Sequence, residues 1–198
     1  SRYTKALARS MANTKQVKAA AVLNNAFTPA FAGGDGVELC STVHPTLAGT
    51  FSNELATPAD LNETSLEQAL IDIAAFTDER GLKIAARGMK MVIPSELQFT
   101  ADRLMKSEGR TGTADNDINA IKNMGMIPQG YVVNHYLTAA KKWFIKTDVP
   151  NGLKHFVRSP IKTSMEGDFD NGNVRYKARE RYVFGFSDPR GVFGSNAV

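Results

Sequence analysis

The chain has 198 residues, enough for one large domain or two small ones with a real core. Apolar residues make up 42% and charged residues 22%, as in globular proteins, and no apolar run approaches the roughly 20 residues that span a bilayer. A formal net charge of +4 tolerates nucleic acid without diagnosing it. The single cysteine, Cys40, excludes an internal disulfide and a cysteine-rich zinc site, while His44, His135 and His155 lie too far apart for paired ligation.

The opening SRYTKALARSMANTK is charged throughout and lacks the apolar stretch of a signal peptide, which predicts a soluble protein without an export signal in a reducing compartment. It starts at Ser1 inside a predicted helix, as a fragment or a processed product would. Residues 1 to about 27 carry a stripe of Tyr3, Leu7, Met11, Thr14, Val17 and Ala21, with Arg2, Lys5, Arg9, Lys15 and Lys18 off it. That predicts a strut of about 40 Å.

A Gly- and Pro-punctuated stretch follows and leaves room only for short strands. Thr64 to Arg80 reads as a helix with Leu66, Leu70, Ile73 and Phe76 or Ala74 inward, capped by Asn62 or Thr64 and stopped at Gly81. Lys90 to Ile93 reads as a strand, and Ser95 with Gln98 makes a capping-box pattern for a helix through Leu104. SEGRTGTADND reads as a loop, and Ile118, Ile121 and Met124 as a brief helix ending at Gly125. Strands are then predicted at Tyr131–Tyr136, Trp143–Lys146, Lys154–Arg158, Ile161–Asp168 and Val174–Phe186. Trp143-Phe144-Ile145 should be core. The mixed element order indicates an α+β protein with mainly antiparallel pairing.

From Val174 to Phe186 the residue types alternate. Arg175, Lys177, Arg179 and Arg181 take one face, and Val174, Tyr176, Ala178, Tyr182, Phe184 and Phe186 the other. With Asp170–Asn173 as a four-residue loop, Phe169 faces Val174, Asp168 faces Arg175, Glu166 faces Lys177 and Met165 faces Ala178. Acid then meets base and apolar meets apolar; only Glu180 interrupts the apolar face. So long a hairpin, with its surplus of arginine, suggests docking on a neighbour.

Catalytic motifs are scarce. Ser159-Pro160-Ile161-Lys162 matches S-x-x-K but lacks the partner motifs and sits at a strand entrance. Gly33–Gly36 and Gly109–Gly112 lack the residues of a P-loop. His44 beside Ser41 has no nucleophile elbow and no identifiable carboxylate, so it reads as structural, and His135 reads as a hydrogen-bonding residue. Asp115 and Asp117 lack a third metal ligand, and the sequon at Asn62 has no meaning without secretion. No catalytic, cofactor or metal site is assigned. The expectation is a structural or interaction protein and no enzyme.

Several stretches together are similar to one family: GTADNDINAIKNMGMIPQGYVVNHYL, KWFIKTDVPNGLKHFVRSP, MEGDFDNGNVRYKARERYVFGFSDPRGVFG, the opening SRYTKALARSMANTK, and MVIPSELQFTADRLMKS. In this order they resemble the major capsid protein family of tailed bacteriophages and prophages. The resemblance implies a long spine helix across an elongated antiparallel sheet, plus a mixed α/β axial domain. Residues 1–30 and 159–190 would form the peripheral domain; residues 31–158 and 191–198 would form the axial domain.

It further implies a virion subunit assembled in the bacterial host cytoplasm. That subunit would form hexamers and pentamers around double-stranded DNA, with scaffold, portal and maturation protease as further partners. Arg175, Lys177, Arg179, Asp170, Asn171 and Asn173 become the candidate inter-subunit contacts. Relatives carry an N-terminal arm and an extended loop before the spine helix, which this sequence lacks. The lysine of the Lys–Asn cross-link made by some relatives lies on that loop, so neither Asn171 nor Asn173 is assigned that role. The alternatives are an encapsulin-type nanocompartment shell and a basic nucleic-acid-binding module.

Overall fold

A computed structural model of the chain describes residues 2–110, 117–167, 170 and 172–197. Helix α1 (Arg2–Asn24) has 23 residues, so it is about 35 Å long. Its inward stripe differs from the expected one. Leu7, Met11, Lys15 and Ala19 are half-buried, whereas Tyr3 is 81% and Val17 47% exposed. The first turns of α1 therefore stand clear of the chain, and full burial begins only at Ala20 and Leu23.

A small hairpin, β1 (His44–Thr46) and β2 (Gly49–Phe51), leads to α2 (Glu63–Ala74). Of the two expected candidates, Asn62 caps α2: its side chain accepts from Ser65 N–H at 2.8 Å, and Asn62 N–H donates to Ser65 Oγ at 3.0 Å. The helix ends well before Gly81. Phe76 turns into the core against Phe51, with ring centres 4.8 Å apart, and Asp78 Oδ1 accepts from the N–H groups of Arg80 and Leu82. A competing side-chain cap and an aromatic anchor thus overrule the helical pattern.

β3 (Gly88–Ile93), α3 (Gln98–Lys106), the single-turn α4 (Ala120–Asn123), β4 (Tyr131–Val133) and β5 (Trp143–Thr147) follow. The capping box expected at Ser95 does not form: Ser95 opens a 3-10 turn and its hydroxyl lies 3.0 Å from His135 Nδ1. β4 stops short of Tyr136 because Asn134 Oδ1 accepts from Tyr136 N–H and turns the chain. The rest is β6 (Leu153–Gly167), β7 (Val174–Phe186) and β8 (Val192–Ser195). Two strands were expected where β6 is one; Pro160 sits at a bulge in it, where an edge strand needs no N–H donor.

Strands β4-β3-β5-β8 form one mixed sheet, in which only the β3–β4 pair is parallel. Both faces are covered, so Trp143-Phe144-Ile145 is apolar without alternating. Trp143 and Ile145 pack with Phe193, Met91 and the inner face of α2. Phe144 points the other way, to Leu23, Leu39 and Cys40. The end of α1 is thereby bound to the body, while its middle, from Ser10 to Lys18, lies along the β6–β7 ribbon.

Candidate functional site

The ribbon formed by β6 and β7 is about 40 Å long at 3.3 Å per residue. Its faces alternate as expected, but its register differs by two residues. Val174 stands opposite Gly167, Arg175 opposite Glu166, Tyr176 opposite Met165 and Lys177 opposite Ser164. Six residues of sequence therefore separate the paired strands, where four were expected. A shift of two preserves every face, so Glu166 still meets a base, now Arg175, and Met165 still meets an apolar residue, now Tyr176. Asp168, Phe169 and Asn171 lie outside the described residues. Two register shifts place two extra residues on β6 between Val157 and Lys162.

One end of the ribbon is firmly founded. Gly152, just before β6, and Gly191, just before β8, touch backbone to backbone: a Cβ on Gly152 would lie 2.8 Å from Gly191 Cα. Ser187 N–H and Asp188 N–H donate to the carbonyls of Gly152 and Asn151 at 3.1 and 3.0 Å. Above this foundation His155 stacks on Phe184 with ring centres 4.4 Å apart, and Tyr182 meets both edge-on.

α1 crosses the aromatic face from Ala178 to Phe186: Met11, Thr14 and Lys18 help to line a groove of about 730 Å³ with Ala178 to Phe184, and Val22 and Phe186 line a second groove nearer the body. There the interruption at Glu180 is resolved. Glu180 faces α1, its side chain is only 13% exposed, and Lys15 Nζ lies 3.5 Å from its Oε2. Beyond Ala178 no element covers the ribbon among the described residues; Met165, Val174 and Tyr176 are exposed. The aromatic face is thus anchored to α1 over its inner half alone.

Arg175, Lys177 and Arg179 project together from one face of the ribbon and are exposed. Asp170 and Asn173 are exposed at its turn, where Gly172 adopts a φ of +63°. Of the candidate contacts, then, five of six are described: Arg175, Lys177, Asp170 and Asn173 sit on the projecting part of the ribbon, and Arg179 lies beside the crossing with α1. No group of three or more His, Cys, Asp or Glu side chains among the described residues could hold a metal ion.

The polar clusters inside the body stabilise loops. Asn53 is fully buried, and its Nδ2 donates to the carbonyls of Leu39, Pro189 and Val192 at 2.7 to 3.0 Å. Its Oδ1 accepts from Ser41 N–H at 2.9 Å and faces His44 Nε2 at 3.1 Å. The carboxylate that the sequence did not reveal beside His44 is Asp35, 2.7 Å from Nδ1. Because Nε2 meets Asn53 and no hydroxyl, this is a structural network. Arg190 ties the same region to the turn after α2: its Nε donates to Thr77 O at 2.6 Å, its Nη1 pairs with Glu79 at 2.9 Å, and its guanidinium lies 4.8 Å from the Phe51 ring centre. Ser159 Oγ spends itself on Pro160 O at 3.4 Å.

Sequence patterns did not reveal Asn53, Arg190 or the role of Lys15. The one available signal was Glu180, an acid where the alternation called for an apolar residue.

Comparison with known proteins covers nearly the whole chain. A family model described as phage capsid protein matches residues 1–195. No curated protein matches the sequence. A solved structure from Mycobacterium phage Che8 is similar at 16% identity and a TM-score of 0.53, covering 98% of this chain and 62% of that one. A phage-related protein from Bordetella bronchiseptica RB50 gives 13% identity and a TM-score of 0.52, covering 98% and 63%. The capsid of an empty GTA particle gives 17% identity and a TM-score of 0.51, covering 98% and 66%. The chain thus spans a little under two thirds of the length of these structures. At such identities the likeness is one of fold: a long helix across an elongated antiparallel ribbon, beside a mixed helix-and-sheet body.

Proposed function

The chain belongs to the phage capsid protein family, and from that premise we propose that it serves as a structural subunit of an icosahedral bacteriophage head. The supporting observation is the family match over residues 1–195, in a chain whose ribbon projects beyond its own core. A projecting element with one basic and one apolar face suits contact with copies of the same chain. Repeated contacts of that kind close into rings. In this proposal the rings are hexamers and pentamers that enclose double-stranded DNA in the virion.

Residues 1–30 and 159–190 act as the peripheral domain, and residues 31–158 and 191–198 as the axial domain. Arg175, Lys177, Arg179, Asp170, Asn171 and Asn173 make the inter-subunit contacts. Scaffold, portal and maturation protease would be transient partners, and the subunit performs no reaction of its own.

Electron microscopy of particles made from the complete gene product tests this. Closed shells with five- and six-membered rings, containing DNA when recovered from phage, are expected. Shells filled with a protein cargo would turn the assignment to a nanocompartment, and a failure to form any particle would overturn it.

A further inference from the structure

Charge is divided along the molecule. α1, β6 and β7 together carry twelve basic and two acidic side chains, whereas the rest of the chain carries twelve basic and eighteen acidic. Both parts leave charges unanswered. Lys162 and Arg179 stand directly opposite each other in the ribbon, a like-charge pair that repels across the strands. Neither they nor Lys177 has an ion-pair partner among the described residues.

α2 carries Glu63, Glu67 and Asp72 and no basic residue. Asp72 lies in its last turn, at the negative end of the helix dipole, where a cation is favoured. Glu63 is answered by Arg110 at 3.0 Å, and among the described residues the Asp72 carboxylate accepts only from the neutral Gln68 at 2.8 Å. Ile71, between Glu67 and Asp72 in sequence, is 62% exposed.

We infer that the basic face of the ribbon, at Lys162, Lys177 and Arg179, docks on the outer face of α2, at Glu67, Ile71 and Asp72, of a second copy. This rests on the self-association proposed above and names the partner surface. The two patches are different parts of one chain, so the contact is heterologous: each copy gives a ribbon and receives one, as a closed ring requires. A nucleic-acid phosphate would relieve the ribbon but leave Asp72 and Ile71 unanswered. The second copy relieves both.

Sedimentation velocity of the chain at low and high salt tests the contact. Wild type should self-associate, less so as salt rises. Lys162→Glu with Arg179→Glu in one chain, or Glu67→Lys with Asp72→Lys in another, should each weaken association at least about tenfold, because like charges then face each other. Mixing the two variants should restore it. If the mixture associates no better than either variant alone, the contact is wrong. It is equally wrong if the ribbon variant self-associates like wild type and loses only retention of duplex DNA. An associating wild type that ignores both reversals overturns the docking alone, whereas a wild type that stays monomeric at every salt concentration overturns self-association too. Should a reversed chain misfold, Lys162→Gln with Arg179→Gln must still weaken association and flatten its salt dependence; no change would reject the contact.

Discussion

Lys15 of α1 and Glu180 of β7 meet across the crossing of helix and ribbon, with Nζ 3.5 Å from Oε2 and 5.0 Å from the centre of the Tyr182 ring. One ammonium answers a carboxylate and caps an aromatic face, so it fixes where along the ribbon α1 lies. Lys15→Met keeps the aliphatic stem but leaves Glu180, largely covered, without its cation. Stability in urea should fall by about 1–2 kcal/mol, and a double-mutant cycle with Glu180→Gln should return a coupling of about 1 kcal/mol. A coupling indistinguishable from zero would mean that the pair is ornamental.

The contact of Gly152 with Gly191 predicts a steric failure. A methyl group at either position meets backbone rather than a flexible side chain. Gly191→Ala should therefore destabilise by about 1–3 kcal/mol, the usual cost of overpacking. Amide exchange should quicken first at Ser187 and Asp188, whose N–H groups donate across this junction.

Asn53→Ala would strip partners from the carbonyls of Leu39, Pro189 and Val192 and from the ring of His44 at once. A loss on the order of 3 kcal/mol or more is expected, because several buried polar groups are left unsatisfied together. A melting temperature within a degree or two of wild type, on the order of experimental error for a domain of this size, would contradict that role.

Acid should weaken the fold through two surface carboxylates. The N–H of Leu82, with that of Arg80, holds Asp78 below its ordinary value of 3.8. Lys106 and then Tyr131 hold Asp102 below the same value. A depressed carboxyl group stabilises the fold above its unfolded value, and that contribution is lost as pH falls through the folded one. Thermal melts should show the loss beginning near pH 4 and continuing below it. The slope should be shallower in Asp78→Asn and Asp102→Asn, and an unaltered slope in both would reject these two groups as its source.

In the complete gene product, Arg175→Glu with Lys177→Glu should impair particle formation far more than folding. Both side chains are exposed on the projecting half of the ribbon, and surface changes there touch no core. Normal particle yield by microscopy together with an unchanged Tm would remove these residues from the contact.

Elements built on strong local patterns were legible in the sequence. The alternation from Val174 to Phe186 gives β7 with its observed ends, Asn62 caps α2, and Trp143-Phe144-Ile145 is core because its sheet is covered on both faces. The ribbon register was not legible, for a definite reason. Glu166 finds a base at Arg175 or at Lys177, and Met165 an apolar partner at Tyr176 or Ala178, so residue type cannot separate a six-residue turn from a four-residue one. The inner stripe of α1 was hidden because Lys15 belongs to it through a partner 165 residues away. The early end of α2 depends on where Phe76 finds Phe51, which is tertiary information. The strongest sequence clue to the site, the basic alternation on β7, was visible.

Among the described residues no layer lies beneath the outer half of the ribbon, and two strands alone are barely stable in water. Its final curvature is therefore not encoded by a single molecule in dilute solution. Whatever comes to rest against it supplies the missing layer, so identical polypeptides in differently shaped surroundings can finish with different slopes at that end while their packed interiors stay alike.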